Sequence, residues 1–222
     1  MLTYCLILQL TLGLDKVMED KFKKLLESMD RPNYVEKTVE DVYHDVASQT
    51  DLTPREVAMI GGVESQHGKY EDNMDGGSAS GIMQVMPNLA KIIRPGSENT
   101  IKDRNTQAAL ASDIINYNSP TIKQIAASNK NSPSVEDQYA LYNLGKGRGK
   151  EFVKAPDEEL IENVLPANVI KSNPKLYRYK TVGKSKEALR KFLKERGEEF
   201  NFTIPETKLL ELFANKDEQN DE

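Results

Sequence analysis

The run from Thr53 to Glu64 admits little besides an α-helix. Thr53 stands as an N-cap. Pro54 falls at the first helical position, where a missing N–H costs nothing, and Glu56 falls at the third, where its side chain reaches back to the cap. Beyond this start, Val57, Ile60, Gly61 and Glu64 stand at i, i+3, i+4 and i+7 and share one face. An acid thus continues an apolar stripe. Burial disfavours the charged form of a carboxyl and raises its pKa, which makes Glu64 a candidate general acid. The pair Gly61-Gly62 costs a helix about 1 kcal/mol per residue relative to alanine. It reads as open space one turn before the acid.

Helical spacing recurs along the chain. Val17, Met18, Phe22, Leu25, Leu26 and Met29 form one stripe over 15–29, and Val35, Val39, Val42, Tyr43 and Val46 another over 35–48. Residues 68–80, rich in glycine and polar residues, read as a loop, and 82–93 turn apolar again. Helices follow at 106–117 with Asn105 or Thr106 as cap, at 121–128, and at 134–144 between Ser134 and Gly145. Gly145-Lys146-Gly147-Arg148-Gly149 reads as a flexible basic turn and lacks the spacing of a phosphate loop. Further helices are expected at 157–164, 166–171, 185–196 (bracketed by Ser185 and Gly197) and 205–214 (capped by Thr203 and Glu206), before a charged tail. No strand alternation longer than a few residues appears, so the fold class is all-α.

Composition removes several function classes. One cysteine, Cys5, excludes a disulfide framework and a cysteine metal site, and two histidines, His44 and His67, make a histidine metal centre unexpected. No metal and no cofactor are expected. His44 lies beside an apolar stripe and reads as packed or on the surface. A net charge of −5 argues against a general nucleic-acid binder. Residues 1–14 are apolar but too short to span a bilayer, and no basic residue precedes them as in a secretory signal. They read as a buried segment or as one that packs on a partner, with a weak export or membrane-insertion element as the alternative.

Three blocks fall in order: Glu64-Ser65, then Gly81 to Pro87 (GIMQVMP) with Gln84 20 residues after the acid, then Ala140 to Gly147 (ALYNLGKG). Together they resemble the lytic transglycosylase family, with its catalytic "ES", its "GLMQ-x-MP" and its "AYNAG". The resemblance covers about residues 50–150 and implies a lysozyme-like helical catalytic core. Residues 1–49 and 151–214 are then helical extensions, and 215–222 a tail. The segment Leu165 to Tyr179 (LPANVIKSNPKLYRY) resembles the part that follows the core in transglycosylase domains of bacteriophage virion proteins.

The resemblance implies cleavage of the β-1,4 bond between N-acetylmuramic acid and N-acetylglucosamine in peptidoglycan. Glu64 would be acid and then base, and 1,6-anhydro ends would form. It implies substrate contacts for Ser65, Met83, Gln84, Met86, Tyr142 and Asn143, with Tyr142 near the acid. It also implies a virion protein acting on the host cell wall, with other virion proteins as partners of the extensions. A bacterial periplasmic enzyme, a cytoplasmically made endolysin and a structural virion protein retaining the fold are the alternatives. One position departs from the pattern: Asp75 stands where the family often has serine. Goose-type lysozymes carry an aspartate there, and their ESHAGK is similar to ESQHGK here. Asp75 is therefore a second candidate carboxylate, for hydrolysis by water. Asp72 is the weaker loop acid.

Overall fold

In the computed structural model, which describes residues 37–72 and 78–203, ten α-helices and one 3-10 turn build an all-α fold. Helix α1 is Val39–Ser48, α2 Pro54–Ser65 and α3 Pro87–Ile93, followed by the 3-10 turn Ser97–Asn99. Then come α4 Arg104–Ser128, α5 Val135–Leu144, α6 Lys146–Lys154, α7 Ile161–Val164, α8 Ala167–Ser172, α9 Pro174–Tyr177 and α10 Val182–Glu198. Among the described residues no strand forms; there are only isolated bridges, Asp72 to Ser80, Ser80 to Val85 and Leu160 to Thr181. The apolar segment 1–14, the stripe over 15–29, Asp75, the helix expected at 205–214 and the tail lie outside the described residues.

Helix α2 starts as its sequence demands. The Thr53 hydroxyl accepts from the Glu56 N–H, and the Thr53 N–H donates to the Glu56 carboxylate. Val57 and Ile60 are fully buried. The expected space over Gly61 is filled: a Cβ there would stand 2.4 Å from the Tyr43 hydroxyl oxygen of α1. The missing side chain serves close packing of α1 on α2, not an opening toward the acid. Helix α10 closes the other side of α2, where a Cβ on Gly197 would stand 2.5 Å from Met59 Cγ.

Two breaks expected from sequence do not occur. Residues 104–128 form one helix with Pro120 inside it. An interior proline costs about 3 kcal/mol by removing a hydrogen bond and crowding the preceding turn. Leu110, Ile114, Ile115, Ile122 and Ile125, all at most 4% exposed, outweigh this, since burying each contributes about 1.5–3 kcal/mol. The cap is Asp103, which accepts from the Thr106 N–H. The second expected break, the flexible basic turn at 145–149, is the start of α6. Gly145, at φ 77°, is the hinge between α5 and α6. Gly149 lets the two helices touch, because a Cβ there would stand 2.6 Å from Leu141 Cα. Likewise α10 begins at its cap Thr181, earlier than Ser185, and runs through Gly197. Thr203, expected as a helix cap, donates its hydroxyl to Glu40 of α1 at 2.6 Å.

The described residues belong to one compact unit from Lys37 onward. Val42, Tyr43 and Val46 of α1 and Leu189 and Leu193 of α10 enter the same core as α2, α4 and α5. The boundary drawn at 150/151 falls within α6.

Candidate active site

Glu64 occupies the last turn of α2, continuing the stripe that buries Val57 and Ile60. Its residue surface is only partly exposed, and its Oε1 is buried without a hydrogen-bond partner. Burial pushes the carboxyl up to about 7, against a smaller opposing effect from a hydrogen bond with the Tyr139 side chain. A carboxyl at that value is present as both acid and carboxylate near neutral pH, which suits proton donation followed by proton uptake.

The end of α2 is locked in place. Gln66 and His67 both take left-handed backbone conformations, with φ of 50° and 58°. Ser65 is buried, its hydroxyl donating to the Gly61 carbonyl at 3.2 Å and accepting from the Gly68 N–H at 2.8 Å. The structure therefore places Ser65 behind the acid as a brace of the turn, not at a surface. His67 faces the Arg196 carbonyl through Nε2 at 2.8 Å and the Tyr43 hydroxyl through Nδ1 at 2.9 Å. A carbonyl can only accept, so Nε2 carries the proton and Nδ1 accepts from Tyr43. His67 ties the turn to α1 and α10, and burial holds its pKa below the ordinary histidine value.

The GIMQVMP block forms the next wall. Gln84 has a left-handed backbone, φ 46°, which costs a residue with a side chain about 1–2 kcal/mol. Its amide Nε2 offsets this by donating to the carbonyls of Gly81 at 2.9 Å, Glu71 at 3.0 Å and, more weakly, Tyr70 at 3.4 Å. Gln84 thus holds the loop that follows the acid against its own turn. Met83 is fully buried, so its side chain is core; its N–H donates to Gln107 Oε1 at 3.0 Å. Met86 caps α3 and is 50% exposed, the one methionine of the block with a free surface. Asp72 is exposed and paired with Lys102.

Helix α5 brings the third block alongside. Tyr142 donates its hydroxyl to the Met83 carbonyl at 2.7 Å, joining the ALYNLGKG block to the GIMQVMP block. Tyr177 of α9 donates to Asn143 Oδ1 at 3.2 Å. Burial first, and the nearby Glu64 after it, raise the hydroxyl pKa values of Tyr139, Tyr142 and Tyr177. Three tyrosines therefore lie within electrostatic reach of the acid. Phe152 of α6 packs edge-on against Tyr177, with centroids 5.5 Å apart.

Tyr142 is joined to the Met83 backbone and Asn143 to Tyr177, and both tyrosines feel the charge of Glu64. Tyr139 and Tyr177 were not singled out from sequence. Tyr139 stands three residues before Tyr142, one helical turn along the same face, which is the signal that reveals it. Tyr177 lies in the LYRY end of the segment resembling virion transglycosylases, but only the fold shows that this end returns to the acid.

Replacing Gln84 by leucine is expected to remove the side-chain donor from the Gly81 and Glu71 carbonyls, leaving each only its backbone donor, the Gln84 N–H and the Gly81 N–H. The cost is about 2 kcal/mol, read as a lower urea midpoint with an unchanged slope. An unaltered midpoint would show that the amide does not brace the loop.

The chain matches none of the protein-family models and none of the curated proteins with which it was compared.

Proposed function

We propose that the chain cleaves peptidoglycan glycan strands as a lytic transglycosylase of the kind carried by phage particles, with Glu64 as general acid and then general base. The observation that carries this reading is a carboxyl held near neutrality by burial at the point where the three sequence blocks meet. Glu64 gives its proton to the glycosidic oxygen as the bond from C1 of N-acetylmuramic acid breaks. The carboxylate then takes the proton of the C6 hydroxyl as that oxygen bonds to C1. The 1,6-anhydro ring closes, no water is consumed, and Glu64 ends protonated as it began. Met86 and Asn143 are the motif residues offered to the sugar, while Gln84, Ser65 and Met83 shape the loop and turn that carry the site.

A hydrolytic second reading rests on Asp75, which stands where goose-type lysozymes have an aspartate. A water between two carboxylates would then attack C1. Mass spectrometry of the fragments released from purified peptidoglycan separates the two. The transglycosylase reading expects 1,6-anhydro ends, one water lighter than reducing ends. Reducing ends alone would replace it with the lysozyme reading, and no fragments would remove both.

A further inference from the structure

We infer that Tyr117 and the lysine row of α6 form a distal binding surface for a glycan strand that bears stem peptides: a sugar ring packs on Tyr117, and stem carboxylates meet Lys150 and Lys154. This rests on the reading of the chain as a peptidoglycan-cleaving enzyme and narrows its substrate to the stem-bearing strand. Tyr117 of α4 is 60% exposed. It is nevertheless held in place. Lys146, at the start of α6, donates through Nζ to the Tyr117 carbonyl at 2.9 Å, and the same Nζ lies 3.9 Å from the ring centroid. A cation over an aromatic face is attracted to it. The ring is thus fixed before a ligand arrives and gives up little freedom on binding. The C–H face of a pyranose packs on such a ring, whose face carries the negative end of its quadrupole.

Lys146, Lys150 and Lys154 stand at i, i+4 and i+8 of α6, beside its buried residues Gly149, Phe152 and Val153. The row begins just after Asn143, the motif residue offered to the sugar, and runs about 12 Å along the helix. Lys150 and Lys154 are exposed and meet no acid among the described residues. On α10, by contrast, every lysine and arginine meets one, from Lys184 with Glu187 to Arg196 with Glu199. The row on α6 is positive charge without a partner of its own. Its successive cations, about 6 Å apart, match carboxylates two residues apart in an extended peptide. Stem peptides, joined to the lactyl group of N-acetylmuramic acid, carry such free carboxylates. A nucleic acid fits the row less well. A duplex presents about one charge per 1.7 Å, which calls for denser cations, and the chain as a whole carries −5.

The test compares Tyr117→Ala, and the double change Lys150→Glu with Lys154→Glu, with the wild type, all in the full chain. The three positions are exposed, so both variants are expected to fold. Cleavage is followed on solubilised intact strands and on strands stripped of stem peptides by an amidase. Binding is followed by co-sedimentation with insoluble peptidoglycan. The lysine variant is expected to raise KM on intact strands about tenfold, with kcat unchanged, and to keep the wild-type KM on stripped strands. Tyr117→Ala is expected to raise KM about tenfold on both. A wild-type KM for either folded variant on intact strands would overturn the inference, as would an equal rise by the lysine variant on both substrates. Tighter binding of a single-stranded oligonucleotide than of peptidoglycan would assign the surface to nucleic acid and overturn it too. If the wild-type chain releases no fragments, the transglycosylase reading fails and co-sedimentation alone decides the surface. Retention weakened about tenfold in both variants then supports it, and wild-type retention in either, or no retention of the wild type, removes it.

Discussion

Glu64→Gln is expected to lose cell-wall cleavage and to gain stability above neutral pH. The loss follows from chemistry, because an amide has no proton to give a leaving oxygen at any accessible pH. Removing a general acid costs about 10²–10⁴ in rate. The gain follows from linkage. The carboxyl sits at about 7 in the folded chain against an ordinary 4.5. Between these values the folded state binds more protons than the unfolded state, so stability falls as pH rises from about 4.5 to 7 and stays low above. The full difference is on the order of 3 kcal/mol. Glutamine carries no such penalty. Thermal unfolding of the two chains should therefore diverge at pH 8, with the variant melting higher, and converge at pH 4. Equal melting at both pH values would show that the carboxyl is not held in its neutral form by burial. A site that stores instability in the residue doing its chemistry is the usual source of a trade-off between stability and activity.

Gly81→Ala is expected to be the most damaging small substitution in the loop. Gly81 has φ +80°, and a Cβ there would stand 2.3 Å from Gln107 Cδ. Gln107 is fully buried and holds three groups: Oε1 accepts from the Met83 N–H, and Nε2 donates to the carbonyls of Ser80 and Ile101. The methyl group must therefore displace the hub that fastens the GIMQVMP block to α4. A left-handed alanine costs about 1 kcal/mol, and each buried group left unpartnered a further 1–3 kcal/mol. The sum, about 3–5 kcal/mol, is a large part of the 5–15 kcal/mol that holds an ordinary domain together. The melting temperature should drop on the order of 10 °C, and cleavage should fall with it, since Met83 presents the carbonyl that holds Tyr142. A melting temperature within a degree or two of wild type would mean that Gln107 yields freely.

Reading the chain before its fold succeeded where local chemistry decides. Thr53, Pro54 and Glu56 start a helix because their groups satisfy one another within one turn, and the position of Glu64 on the inner face follows from the helical repeat. It failed where packing overrides propensity. Pro120 did not break α4, because the isoleucines around it bury too much apolar surface. The glycines of 145–149 entered α6, because Gly149 is where two helices touch. Gly61 showed the same ambiguity: a missing side chain signals either a cavity or a close neighbour, and here the neighbour is Tyr43. At the site, the motif residues were visible as types but not as roles. The Gln84 amide nitrogen and the Ser65 hydroxyl are committed to the backbone, and the place of Tyr139 depends on which face of α5 enters the core.

The most direct test is digestion of purified peptidoglycan by the wild-type chain and by Glu64→Gln in parallel, with soluble muropeptides counted by mass spectrometry. Abundant fragments from the wild type and none above background from a folded Glu64→Gln is the predicted result. Equal release by the two chains, or none by the wild type, would contradict the assignment of Glu64 as the acid that breaks the glycan strand.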